Sequence, residues 1–339
     1  MSISNYRVSR STQASKIGAV VGLLVLALLI SVPFWAGRGD MRLIVEFAYY
    51  LTLAQMWNLL AGYAGLVSVG QQAFVGLGGY MLFSAVLYFG IHPVMAIPIA
   101  GVLIAIISIP TAFIVFRLRG AYFAIGTWVV AEVFRLLFSQ VSSLGGGSGM
   151  SIPAKIVKEI ASGRTEREML IYFTALVILL LGMASVYMLM RSKYGLALTA
   201  IRDSEAASDS LGVNIFKTKL TIYVASAAIT GVVGALIFLQ KLRISPDVAF
   251  SLQDWTAAVI FIVVIGGIGT IEGPIVGTLI YFGLRALLAD YGAIYMIVLG
   301  LVAVIMMIWA PRGVWGLISQ KYDLQLFPVQ RRIKWNSKQ

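Results

Sequence analysis

Residues 191–220 read RSKYGLALTAIRDSEAASDSLGVNIFKTKL, a polar stretch between two long apolar runs, 169–190 and 220–240. Its ends are basic, through Arg191, Lys193, Arg202, Lys217 and Lys219, and its middle is acidic, through Asp203, Glu205 and Asp209. Each flanking run has roughly the 20 apolar residues that a helix needs to cross about 30 Å of hydrocarbon. Two membrane helices joined by a docking loop are therefore expected here, and the same alternation extends along the chain.

The composition agrees. Of 339 residues 60% are hydrophobic and 12% charged, with a mean hydropathy of +0.91, more apolar surface than a soluble domain can hide. Helices are the expected spanning elements, because they satisfy their backbone groups internally. The expected fold is all-α, a polytopic transmembrane bundle of about ten spans (eight to ten). Cysteine is absent and His92 is the single histidine, which excludes disulfides and thiolate or imidazole metal clusters. The net charge of +12 is spread over loops and tail among apolar runs, a pattern that fits membrane orientation rather than nucleic acid.

Ten spans are expected at about 17–35, 42–62, 66–89, 94–116, 121–141, 169–190, 220–240, 252–270, 274–289 and 293–310. The first follows Arg7, Arg10 and Lys16, as a signal peptide would, but no small-residue cleavage pattern precedes Asp40, and it reads as a retained helix. With the N-terminus inside, 16 of the 26 Lys and Arg residues fall inside, 8 outside, and Arg135 and Arg285 within spans. Both termini and the 191–219 loop are thus expected to be cytoplasmic. The expected organisation is a cytoplasmic N-terminus at 1–16, a transmembrane domain at 17–318 and a basic cytoplasmic tail at 319–339. Arg331, Arg332, Lys334 and Lys338 of the tail can lie on anionic headgroups or serve only to set orientation.

The third span is polar and glycine-rich, through Ser68, Gly70, Gln71, Gln72, Gly76, Gly78 and Gly79. Two readings stay open: a broken or re-entrant helix beside a pathway, or close helix packing through glycine. The outer loop 142–167 begins SSLGGGSGM, whose glycines favour a flexible, helix-free connection. Pro98 and Pro110 would locally remove helix hydrogen bonds in the fourth span. In the polar loop, Asp203 or Ser204 can cap a helix of about two turns with Glu205 in its first turn, and Gly212 can end it. Such a short helix needs a surface to pack against.

Five blocks together resemble the permease subunits of bacterial ABC importers of the branched-chain amino acid type. They are GYAGLVSVGQQAFVGLGGY at 62–80, LRGAYFAIGT at 118–127, GLALTAIRDSEAASDSLGV at 195–213, GGIGTIEGPIVG at 266–277 and APRGVWGL at 310–317. The resemblance covers about 49–317 and implies a subunit of the bacterial inner membrane. Residues 203–212 would be its coupling helix to an ATPase, with Arg202, Asp203, Glu205, Ala206, Ala207 and Gly212 at the contact. In the broader importer signature glycine stands six residues after the glutamate of Glu-Ala-Ala. Here Gly212 stands seven after Glu205, which matches the looser form of this family. The implied partners are a second related permease, two cytoplasmic ATPases and a periplasmic substrate-binding protein. The implied mechanism is ATP-driven alternating access.

The chain has no G-x-x-x-x-G-K-[ST] loop, so no ATPase site of its own and no bound cofactor is expected, ATP being held by the partners. It is read as a transporter subunit and not an enzyme. The same machine could carry urea, amides or other amino acids, and a gradient-driven secondary transporter is the alternative of another class. A gradient-driven carrier would place ionisable groups deep in its spans. Glu132 and Arg135 lie three apart and can neutralise each other, Arg285 and Asp290 sit near a span end, and Glu46 and Asp254 lie near outer ends. A pathway reading falls on the second span, where Thr52, Gln55, Asn58 and Gly62 share an arc of roughly 120°. Gln71 and Gln72 follow just beyond. The same side chains could serve interhelical hydrogen bonding instead.

Overall fold

The computed structural model describes residues 6–9, 12–161, 163–288, 294–322, 324, 326–327, 329 and 332–335. After strand β1 (Tyr6–Ser9) come helices α1 (Gln13–Ser31), α2 (Arg38–Asn58), α3 (Gln71–Tyr88), α4 (Pro93–Val115) and α5 (Ala121–Gln140). Strand β2 (Met150–Ser151) leads to α6 (Ala154–Ile160), α7 (Arg164–Arg191), α8 (Lys193–Asp203), α9 (Glu205–Ser210) and α10 (Ile215–Lys241). Strand β3 (Arg243–Ile244) precedes α11 (Pro246–Ala249), α12 (Ala258–Gly266), α13 (Glu272–Leu288), α14 (Ile294–Trp309) and α15 (Gly313–Tyr322), and β4 (Arg332–Trp335) pairs with β1.

The chain is an all-α polytopic bundle, as the alternation of apolar runs requires. A helix lies at each of the ten expected spans. Seven stretches among the described residues are long and apolar enough to cross a membrane: Gln13–Phe34, Pro93–Val115, Ala121–Gln140, Arg164–Arg191, Ile215–Lys241, Pro246–Gly266 and Ile297–Tyr322. Of the remaining three, α2 and α3 are the most enclosed, so their polar side chains face other helices rather than lipid. At about 1.5 Å per residue, the 28-residue α7 and 27-residue α10 exceed the hydrocarbon thickness.

Helix α10 forms the centre, packed on α3 and α4, while α2 lies on α7 and α12 on α13. Backbones meet closely at the α3–α10 crossing. A Cβ at Gly78 would stand 2.0 Å from the carbonyl oxygen of Gly231, and one at Gly234 would stand 2.1 Å from that of Val75. Such approach lets dispersion and backbone contact hold helices in a solvent that offers no hydrophobic drive between them. By contrast α1 is peripheral, its Leu23 and Leu24 two-thirds exposed, and it is tied down where Tyr172 donates to the carbonyl of Leu29 at 2.6 Å.

The third span is interrupted and also packs closely through glycine. The chain is non-helical from 65 to 70 after α2 ends in a π turn at Leu59–Tyr63, and α3 then packs through its glycines. The 142–167 loop departs from the expectation of a flexible, helix-free connection. It forms two 3-10 turns at Ser142–Leu144 and Gly146–Ser148, pairs β2 with β3, and continues into α6. Its glycines are spent on tight geometry, because a Cβ at Gly149 would stand 2.1 Å from the carbonyl oxygen of Ile244. Helix α4 runs unbroken through Pro98 and Pro110.

Four of the seven ion pairs among the described residues cross between helices. Arg135 binds Glu132 at 2.5 Å, as expected, and also Asp247 at 2.6 Å. Arg42 on α2 binds the buried Glu168 on α7 at 2.5 Å, and Arg285 on α13 binds Glu46 on α2 at 2.5 Å. Asp290, expected near the same span end as Arg285, lies outside the described residues.

Candidate functional site

The loop between α7 and α10 folds as two helices rather than one. Ser192 caps α8 by accepting from the backbone N–H of Tyr194 at 3.1 Å, and α8 is seated by Leu198 and Ile201, which are fully buried. Of the two candidate caps for the next helix, the structure uses Ser204. Its backbone is extended (φ −161°, ψ 111°), and its Oγ accepts from the N–H of Ala207 at 3.2 Å. Asp203 is instead the last residue of α8, because a residue already in helical geometry cannot supply the extended backbone of a cap. The helix therefore shortens from the expected 203–212 to Glu205–Ser210. Gly212 closes it at φ +79°, a left-handed conformation that favours glycine.

Helix α9 is held from beneath and open above. Ser208 is buried and donates to the carbonyl of Ser204 at 2.9 Å, and Glu205 pairs with Lys219 on α10. Asn214 caps α10 by accepting from the N–H of Lys217 at 2.9 Å. Ala206, Ala207 and Leu211 are exposed, Leu211 at 80%, so a small apolar surface points away from the bundle. Lys219 is a contact that sequence reasoning missed, because Glu205 and Lys219 lie on separate helices, between which no helical spacing holds.

Arg202 links this loop to the membrane helices. Its Nε and Nη2 donate to Asp203 at 3.1 Å, and its Nη1 donates to the carbonyl of Gly62 at 3.1 Å. Gly62 lies in the π turn that ends α2, a distortion that inserts one extra residue and recurs at functional positions. One turn earlier, Asn58 accepts from the N–H of Gly269 at 2.7 Å and donates to the carbonyl of Thr270 at 2.8 Å. Gln55 donates to the carbonyl of Ile271 at 2.7 Å. The 267–271 loop, which joins α12 to α13, is thus clamped by α2 amides on the level of Arg202.

The five polar residues expected at the pathway are all buried and bonded within the chain. Thr52 donates to the carbonyl of Ala48 at 2.8 Å, and Gln71 donates to that of Leu53 at 2.9 Å. Gln72 meets Thr256 twice, its backbone N–H donating to Thr256 Oγ1 at 3.2 Å and its side-chain Oε1 accepting from that hydroxyl. Gln55 Oε1 and Gln71 Oε1 are buried without a hydrogen-bond partner in the structure. Thr256 sits in a second π turn, Gln253–Ala257, that leads into α12. Sequence reasoning missed it, because a single threonine in an apolar run carries no signal by itself.

Residues 41–310 match the model of a family described as the permease component of a branched-chain amino acid transport system. The chain belongs to this permease family. It is 32% identical over 328 residues, 90% of this chain and 76% of the relative, to the high-affinity branched-chain amino acid transport system permease protein LivM of Escherichia coli. The permease is also 25% identical to a probable LivM of Methanocaldococcus jannaschii, over 74% of this chain and 81% of the relative. A probable LivH permease of that organism is 23% identical, over 83% and 90%. No solved structure matches. The chain is accordingly a multi-pass membrane protein with a permease role in a Liv-type importer.

Proposed function

We propose that this permease forms half of a bacterial inner-membrane pore for branched-chain amino acids, driven by ATP hydrolysis on partner subunits. The observation that carries the reading is the exposed α9, joined through Arg202 to the π turn that ends α2. A surface presenting Ala206, Ala207 and Leu211 suits a shallow groove on a cytoplasmic ATPase, and Glu205 and Lys219 hold it at a fixed angle to α10. The other half of the pore is a second, related permease, a pairing supported by the likeness to both LivM and LivH relatives. A periplasmic binding protein delivers the substrate to the opposite end. Cytoplasmic α9 and inner-membrane placement rest on the Lys and Arg distribution. The β1–β4 pairing accords with it, keeping the described chain ends together.

Nucleotide-driven movement at α9 reaches α2 through Arg202 and the 267–271 loop through Asn58. Gln55 and Gln71 line the substrate route when the helices part. Their buried, unpaired carbonyl oxygens support this, since such acceptors in a low-dielectric interior are costly unless a donor arrives during the cycle.

The test is uptake by proteoliposomes holding both permeases, the ATPases and the loaded binding protein. Leucine, isoleucine and valine should accumulate only with ATP, and an uncoupler should have no effect. Uptake of urea or amides in place of these three would overturn the cargo assignment. Collapse by the uncoupler without ATP dependence would overturn the machine.

A further inference from the structure

The end of the bundle opposite α9 carries a charged rim that none of the coupling contacts uses. It is built from Glu46 of α2, Lys241 at the end of α10, Asp254 in the π turn before α12 and Arg285 of α13. Aromatic rings lie between these groups: Tyr50 packs on Trp255 and Tyr281, and Phe282 lies under Arg285. Lys241 extends over Trp255, its ammonium 4.8 Å from the ring centroid, and Asp254 and Glu46 are near enough to act on it electrostatically.

Two oppositely charged couples therefore share one rim and behave differently. Glu46 and Arg285 close to 2.5 Å. Lys241 and Asp254 do not. Among the described residues neither forms an ion pair, and both are exposed. Open charges cannot face hydrocarbon without a prohibitive loss of solvation. This face therefore borders water or another subunit. The Trp255 ring holds the Lys241 ammonium by cation–π attraction, so the couple stays open rather than collapsing on itself.

We propose that Lys241 and Asp254 receive the two charged ends of a zwitterionic amino acid at the outer mouth, its carboxylate meeting Lys241 and its ammonium meeting Asp254. The proposal rests on the importer reading and adds the contact residues for entry. Because both contacts address groups common to every α-amino acid, this site does not discriminate side chains.

The chain has no native cysteine, so Asp254→Cys introduces its sole thiol. In the assembled importer in proteoliposomes, a membrane-impermeant thiosulfonate should label that thiol from the binding-protein side, above a wild-type control, and leucine-loaded binding protein with ATP should slow the labelling. Asp254→Asn and Lys241→Gln should each lower leucine uptake about tenfold or more, as loss of a charged hydrogen bond does, and Lys241→Arg should retain most of it. Binding-protein-stimulated ATP hydrolysis should persist in all three. No labelling, uptake within about twofold of wild type for both neutral variants, or loss of the second permease on purification would each overturn the site. Absence of stimulated hydrolysis in the wild-type complex would instead strike the importer reading beneath it.

Discussion

Arg202 donates from Nη1 to the carbonyl of Gly62 at 3.1 Å, joining positions 140 residues apart. One guanidinium thus holds α8, through Asp203, and the π turn that ends α2. Replacing it with alanine should leave the bundle folded, because the Arg202 side chain is 40% exposed and sits at its end. The contact is a charge-assisted hydrogen bond of about 1.5–3 kcal/mol. Arg202→Ala should therefore cut uptake at least about tenfold while ATP hydrolysis falls much less. The ratio of substrate moved to ATP hydrolysed is the measurement, and an unchanged ratio would refute the linkage.

The docking helix should be separable into its shape and its surface. Ser204→Ala removes the α9 cap at a cost of about 1 kcal/mol, loosening the helix without blocking its face, and should weaken ATPase co-purification modestly. Ala207→Trp keeps the cap but places bulk on the exposed side. It should abolish co-purification while the permease still inserts and pairs with its partner. Equal retention of the ATPases in both variants would count against α9 as the docking element.

Gln71 donates to Leu53 through Nε2 and leaves Oε1 without a partner. Gln71→Met preserves volume and removes both. Uptake should fall by about tenfold or more if the oxygen meets substrate, while thermal stability of the purified complex should change by only about 1 kcal/mol, the net worth of one hydrogen bond. A loss of stability with normal uptake per folded complex would mark it as a helix tie alone.

The helix crossings predict opposite outcomes for two glycines. Gly78→Val drives a branched side chain into backbone at 2.0 Å and should cost about 3 kcal/mol or more, seen as poor membrane yield and early thermal unfolding. Gly283→Ala on α13 meets nothing within 4 Å and gains up to about 1 kcal/mol of helix propensity. A thermal shift in detergent checks both.

Much of this architecture could be read from the sequence, because hydrocarbon thickness and backbone satisfaction leave few choices for long apolar runs. The Glu132–Arg135 pair followed from helical spacing for the same reason. What escaped was set by contacts between distant segments. Neither Glu205 with Lys219 nor Asn58 with Gly269 obeys a local period. The α2 amides Gln55 and Asn58 could be found as polar residues on one arc, yet only the packed structure separates the bonded half of Gln55 from its unbonded oxygen. The α8–α9 boundary was missed because Asp203 and Ser204 are both good caps, and the choice fell to the burial of Leu198 and Ile201 upstream.

The backbone contact between α3 and α10 also limits how the molecule can move. With Gly78 against Gly231 and Gly234 against Val75, the two backbones touch at the crossing itself, and a fraction of a turn of sliding would bring backbone onto backbone. The two helices should travel as one rigid strut. Any change in bore then falls to α2 and α12, whose ladders are already irregular at Leu59–Tyr63 and Gln253–Ala257.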